Sequence, residues 1–204
     1  MNGDCHSLLS SAAADKFRAW RAEGERQRLT LLREDFPEGQ FQYGLLRLLA
    51  SGSWSERLRQ RWRSLCSWMG CHTPLNGWKT FWYRKAGVNI GENVHLAPGV
   101  ILDLLFPQLI TLEDGVVLGP GAIIVSHVYT PERIVIDRAI AGKRSMVDGQ
   151  GILAIATMGE ASVLAAYSYT VKPIPAGHIG VGVPAVVQPR SAAPLKEDNH
   201  DQCT

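Results

Sequence analysis

From residue 90 onward an aliphatic side chain returns every six positions. It stands at Ile90, Leu96 and Leu102, and after an offset at Leu112, Leu118 and Ile124. After a longer gap it returns at Ile140, Met146, Ile152, Met158 and Leu164. Four places after each there is usually a small residue, as at Val94, Val100, Val116, Ala122, Ala156, Ser162 and Ser168. A period of six fits neither an α-helix nor one long strand. It fits a chain that runs straight for about four residues and then turns by a third of a circle, so that three sides close a triangular coil. Stacked coils would lie about 4.8 Å apart, the spacing of strands in a sheet. The aliphatic side chain then points into the prism, and glycine or a small residue occupies the crowded corner. Between Gly142 and Leu153 the phase is ambiguous by one residue. The pattern predicts a β-solenoid over residues 86–189.

The first 85 residues follow a different rhythm. Asp15 to Glu34 is rich in Ala, Arg, Glu and Leu and reads as a helix, with Asp15 as a plausible N-cap and Phe36–Gly39 (FPEG) as its stop. A short apolar helix follows at Tyr43–Ala50. In Ser55–Gly70, Leu58, Trp62, Leu65 and Met69 fall on one helical face. The last stretch, 190–204, is polar and is expected to be disordered.

Charge changes the picture in one place. The whole chain of 204 residues has a net charge of only +2, which gives no ground for a nucleic-acid partner. Residues 54–85, however, hold Arg57, Arg59, Arg61, Arg63, Lys79, Arg84 and Lys85 against Glu56 alone, 7 − 1 = +6, and five of the six tryptophans. Two readings stay open: a basic, Trp-anchored surface in peripheral contact with an anionic membrane, or a helix that caps the open end of the core. No apolar run reaches the length of a bilayer span, and residues 1–15 carry no evident secretory signal. The four scattered cysteines (Cys5, Cys66, Cys71, Cys203) show no paired spacing. A reduced, cytoplasmic protein is expected, with the inner face of the membrane as its possible neighbour.

Residues 88–189 resemble the hexapeptide-repeat acyltransferases of the maltose, galactoside and serine O-acetyltransferase type. The likeness is carried by IGENVHLAPGVILD, by LEDGVVLGPGAIIVSHVYTPE and by MGEASVLAAYSYTVKPIPAGHIGVGVPA. It covers about half of the chain. It implies a left-handed parallel β-helix preceded by an α-helical region, a homotrimer with sites between subunits, and acetyl-CoA as acyl donor with no metal. The left hand comes from the resemblance alone, since parallel crossovers are ordinarily right-handed.

The resemblance implies His127 as the catalytic base. It follows the last regular hexapeptide of its run and opens a non-repeating loop, Val128–Arg138. An imidazole suits the role because its unperturbed pKa of about 6.5 leaves it neutral yet basic near cellular pH. By the same likeness Asp103 lies near the acceptor, where it positions the hydroxyl or orients His127. The plainer alternative is a polar residue at a loop mouth. Lys172 matches a lysine beside the coenzyme groove, and Ala165 and Ala166 match small residues that line the pantetheine arm. The acceptor is then a small hydroxylated molecule such as a saccharide, lipid-linked if the basic segment touches membrane.

The sequence also departs from the family pattern. Ala154, Ile155 and Ala156 replace a PGV turn, Ala166, Tyr167 and Ser168 replace the residues of GAGS, and Val171, Lys172 and Pro173 replace TKD. These departures motivate an alternative in which the chain is a β-helix scaffold with a degraded coenzyme groove. A zinc-dependent carbonic anhydrase on the same helix would need three converging imidazoles. His95, His127 and His178 are far apart in the repeat and argue against it.

Overall fold

The computed structural model describes residues 11–39, 41–50 and 53–190. The tail expected to be disordered is outside these residues from position 191 on, as are Cys5 and Cys203. The N-terminal helix α1 spans Ala12–Ala22 and is capped by Ser11, whose hydroxyl accepts the N–H of Ala14. It is shorter than the pattern predicted, and Asp15 lies in its first turn rather than at its cap. Leu29–Leu32 is not its continuation but a strand, β1. Helices α2 (Phe41–Ala50), α3 (Trp54–His72) and α4 (Asn76–Ala86) follow. A capping box between Ser53 and Glu56 starts α3. Gly87, in the left-handed region at φ 105°, ends α4.

The solenoid begins at residue 89. Its first coil is β2 (Asn89–Ile90), β3 (His95–Leu96) and β4 (Ile101–Leu102), and its second is β5 (Ile110–Leu112), β6 (Val117–Leu118) and β7 (Ile123–Val125). A hairpin, β8 (His127–Tyr129) and β9 (Arg133–Ile136), then leaves the coil. The third coil is β10 (Ala139–Ala141), β11 (Met146–Val147) and β12 (Ile152–Ala154). The fourth is β13 (Thr157–Met158), β14 (Val163–Leu164) and β15 (Tyr169–Thr170). An antiparallel pair, β16 (His178–Gly182) and β17 (Ala185–Pro189), closes the far end. Each of the three faces is a parallel sheet: β2–β5–β10–β13, β3–β6–β11–β14–β16 and β4–β7–β12–β15.

The inward column on each face is the aliphatic repeat. Ile90, Leu112 and Met158 stack on one face, Leu96, Leu118 and Leu164 on the next, and Leu102 and Ile124 on the third, all buried in one core. The third coil corrects the phase. Ala141, Val147 and Leu153 point inward, while Ile140, Met146 and Ile152 are half-buried on the outside. The hairpin inserted before this coil advances its register by one. The next corner is a residue short, with Ile155 held at φ 45°, and it restores the phase at Met158.

The glycines that follow inward aliphatics have a steric reason. A Cβ at Gly159 would lie 2.4 Å from the backbone N of Ala176, and one at Gly119 2.7 Å from that of Gly149. Adjacent coils approach too closely there for a side chain.

Hydrogen bonding explains the helical cap. Neighbouring coils exchange hydrogen bonds in both directions, as in Gly91 to Leu112 (2.8 Å) and Gly115 back to Glu92 (2.8 Å), and alternate residues of a strand face opposite neighbours. The first coil therefore presents carbonyls with no coil beneath, and buried carbonyls need donors. The helices supply them from side chains. Asn76 donates to Val94 (3.2 Å), Lys79 to Ala97 (2.5 Å), Tyr83 to Val100 (2.9 Å) and Arg84 to Ile90 (3.1 Å). From α3, Gln60 donates to Leu105 (2.6 Å), Ser64 to Leu104 (2.7 Å) and Ser67 to Asp103 (3.3 Å). Lys79 and Tyr83 are fully buried. Burial lowers the Lys79 pKa and raises that of the Tyr83 phenol.

Residues 11–39 and 41–50 close over the side of the solenoid. Strand β1 pairs antiparallel with β9, and β9 with β8, in a three-stranded sheet. Val128–Arg138 is thus a hairpin with a partner strand, not a free loop. A second core joins Phe17, Trp20, Leu31, Leu45 and Leu48 to Phe106 and Ile134.

Candidate active site

The candidate site lies at the corner after the third face. Asp103 leaves β4 there and His127 follows β7 one coil above, so parallel pairing of β4 with β7 sets them side by side. The Nδ1 of His127 is 2.6 Å from Oδ2 of Asp103. Asp103 is buried, and its carboxylate is fully coordinated. Oδ2 also accepts the N–H (2.9 Å) and hydroxyl (2.8 Å) of Ser126, and Oδ1 accepts the N–H groups of Leu105 (2.7 Å) and Phe106 (3.2 Å). Burial, the largest influence, opposes ionisation. The hydrogen bond and charge of His127 and the backbone donors together outweigh it and hold the carboxyl below its ordinary pKa.

An ionised carboxylate only accepts hydrogen bonds. In the neutral ring it therefore fixes the His127 proton on Nδ1 and leaves the Nε2 lone pair free, the arrangement a general base requires. Aromatic edges hold the ring in place. Phe106 lies 5.9 Å and Tyr129 5.8 Å from it, centroid to centroid, both T-shaped. Burial, with a smaller contribution from the charge of Asp103, pushes the Tyr129 phenol up to about 12. Tyr129 also forms part of the wall of a cavity of about 540 Å³ with Arg33, Phe36, Phe41 and Gln42. The N-terminal region thus walls a cavity that reaches Tyr129.

Sequence reasoning singled out Asp103 and His127 but missed Ser126, Phe106 and Tyr129. The Ser-His pair after a hexapeptide run was the available signal for Ser126. Nothing local signals Phe106, whose ring packs edge-on against Trp20 at 6.0 Å across 86 positions of sequence. Ala165, Ala166 and Lys172 do not touch the dyad. Ala165 and Ala166 follow β14 on the neighbouring corner. Lys172 follows β15 on the same edge as His127, two coils further on or roughly 10 Å along the axis. Between them lie Ala154, Ile155 and Ala156, all buried. The ring of Tyr167 is 70% exposed, from a corner at φ 57°, and extends into solvent. Among the described residues, no three His, Cys, Asp or Glu side chains are grouped as a metal ion requires.

No protein-family model matches the chain. Over 115 residues it is 26% identical to the Bacillus subtilis (strain 168) protein named "Putative acetyltransferase YvoF", a match that covers 55% of this chain and 67% of that one. Among solved structures, a hexapeptide-repeat acetyltransferase of Vibrio cholerae O1 biovar eltor, complexed with acetyl coenzyme A, superposes with a TM-score of 0.56 at 14% identity. That superposition covers 67% of this chain and 88% of the other. The fold is that of the hexapeptide-repeat acetyltransferases. A galactoside acetyltransferase in complex with coenzyme A gives a TM-score of 0.53 at 15% identity, covering 66% and 82% of the two chains. The left-handed β-helix expected of the repeat is therefore the fold of this chain. In this fold the Asp103–His127 pair stands at a coil edge, where the β8–β9 hairpin leaves the prism.

Proposed function

We propose that this chain is an acetyl-CoA-dependent O-acetyltransferase that acts on a sugar or another small hydroxylated acceptor by direct transfer. The observation that carries the reading is the Asp103–His127 pair at 2.6 Å, with Nε2 left free. His127 Nε2 takes the proton of the acceptor hydroxyl as that oxygen bonds to the thioester carbonyl carbon. The carbon–sulfur bond then breaks and Nε2 returns the proton to the leaving thiolate, so protons balance and no covalent enzyme intermediate forms. Asp103 holds the ring and stabilises its transient positive charge. The donor would run along the same edge, from His127 past Ala154, Ile155 and Ala156 to the exposed Lys172, whose ammonium would meet nucleotide phosphate.

The cavity beside Tyr129 supports a ring-shaped acceptor. Aromatic faces from Phe36, Phe41 and Tyr129, with Arg33 and Gln42, offer stacking and hydrogen bonds together. A homotrimer is part of the same proposal. Ile101, Ile123, Ile152 and Tyr169 form an outward column on one face and supply an apolar strip for a neighbouring copy. The test is release of coenzyme A from acetyl-CoA across a panel of mono- and disaccharides. His127→Ala should lower turnover about 10²- to 10⁴-fold while the protein stays folded; full activity in that variant overturns the reading.

A further inference from the structure

Helix α3 is inside out. Its inward face holds the small or polar residues Gln60, Ser64, Cys66, Ser67 and Gly70, because the orphaned carbonyls of residues 103–105 demand donors and close approach. Its apolar residues consequently face outward. Trp54, Leu58, Trp62, Leu65 and Trp68, at i, i+4, i+8, i+11 and i+14, run in one stripe that is 49% to 72% exposed. Arg57 and Arg61 flank the stripe and line a shallow cleft with Trp54 and Leu58. Both arginines are exposed, as is Arg59. The one acidic residue of the helix, Glu56, is turned to the cap at Ser53, 2.7 Å from its N–H. Among the described residues no helix is long and apolar enough to cross a membrane.

We propose that this outer face of α3 is a docking surface for an anionic lipid bilayer. Tryptophan combines an apolar ring with an N–H donor and settles at the headgroup boundary, while leucines enter the acyl region and arginines meet phosphate. Charge complementarity selects this occupant over a second copy of the chain. A two-fold contact through the stripe would set Arg57 and Arg61 against the same arginines, with the helix's one carboxylate, Glu56, turned away to the cap. The anionic cytoplasmic leaflet has the matching charge. The opposite face of α3 is bonded to the segment that carries Asp103. If the transferase reading holds, docking therefore brings the dyad to the membrane surface, where a lipid-linked saccharide would present its hydroxyls. The docking itself does not depend on that reading.

The experiment is co-sedimentation of the full chain with phosphatidylcholine vesicles, with and without phosphatidylglycerol, reading tryptophan emission in parallel. Binding with a blue shift is expected only on the anionic vesicles, and it should weaken as salt shortens the Debye length from about 10 Å at 0.1 M. Trp62→Ala with Leu65→Ala should weaken binding at least roughly tenfold, and Arg57→Gln with Arg61→Gln should flatten the salt dependence. All four side chains face solvent or lie beside the stripe, so circular dichroism melting should not move. Absence of binding to anionic vesicles at low salt overturns the proposal, as does equal binding by the Trp62/Leu65 variant. If that variant instead lowers the sedimenting mass without vesicles, the face is a contact between copies and the proposal is wrong. No turnover is read, so failure of the transferase reading leaves this result intact.

Discussion

The Oδ2 atom of Asp103 receives Nδ1 of His127 at 2.6 Å and both the N–H and the hydroxyl of Ser126. A side chain from one coil is thereby clamped by two consecutive residues of the next. Asp103→Asn keeps the shape but removes the negative charge. We expect kcat to fall at least roughly tenfold with donor KM unchanged, because Nε2 loses its fixed tautomer and its counter-charge. A raised donor KM with kcat unchanged would assign Asp103 to donor binding instead.

The same carboxylate makes stability depend on acid. Its folded pKa is lowered, so its contribution is complete above the unfolded carboxyl value of about 3.9. It is lost as pH falls through the lowered folded value. Urea unfolding should show Asp103→Asn less stable than the parent at neutral pH, by about 1–3 kcal/mol for the unsatisfied donors. The gap should close below about pH 3.9. A gap constant down to acid pH would contradict the assignment.

Two corner substitutions should move stability in opposite directions. Gly159→Ala places a methyl group 2.4 Å from the backbone N of Ala176 and should cost about 1–3 kcal/mol. Tyr167→Gly relieves a left-handed residue at φ 57°. That strain, about 1–2 kcal/mol, exceeds the added chain entropy of glycine, about 0.5–1 kcal/mol. Thermal melting should therefore drop for Gly159→Ala and rise for Tyr167→Gly; a fall in the second would mean that the exposed ring has a partner.

The solenoid was legible because Ile90, Leu96 and Leu102 stack on Leu112, Leu118 and Ile124, a relation that repeats within the chain itself. It misled at Ile140, Met146 and Ile152, where large aliphatics stand outside and Ala141 fills an inward place beside the longer side chains of its neighbours. Asp103 and His127, each at the end of a regular run, could be singled out because the resemblance to the hexapeptide-repeat acyltransferases implies a polar residue and a histidine at those places. What joins them was hidden, since parallel pairing of β4 with β7 is a property of the coil and not of local spacing. The strand Leu29–Leu32 read as helix because its residue types favour helix, and only its partner β9 overrides that preference. The outward stripe of α3 was visible as a stripe. Its direction was not, because the carbonyls that claim the opposite face belong to residues 103–105.

The helical cap carries its own test. Tyr83→Phe deletes the donor to the Val100 carbonyl in a site with no room for bulk water. A loss of about 1–2 kcal/mol in unfolding free energy is expected; none would mean that the first coil tolerates an unpaired carbonyl.

The central claim, that this edge of the β-helix serves acyl transfer from coenzyme A, is tested most directly by calorimetric titration of the purified protein with acetyl-CoA and with free coenzyme A. The account predicts saturable binding of one donor per subunit, weakened by Lys172→Ala and retained in His127→Ala. No binding at millimolar donor would contradict it and leave the chain a β-helix scaffold.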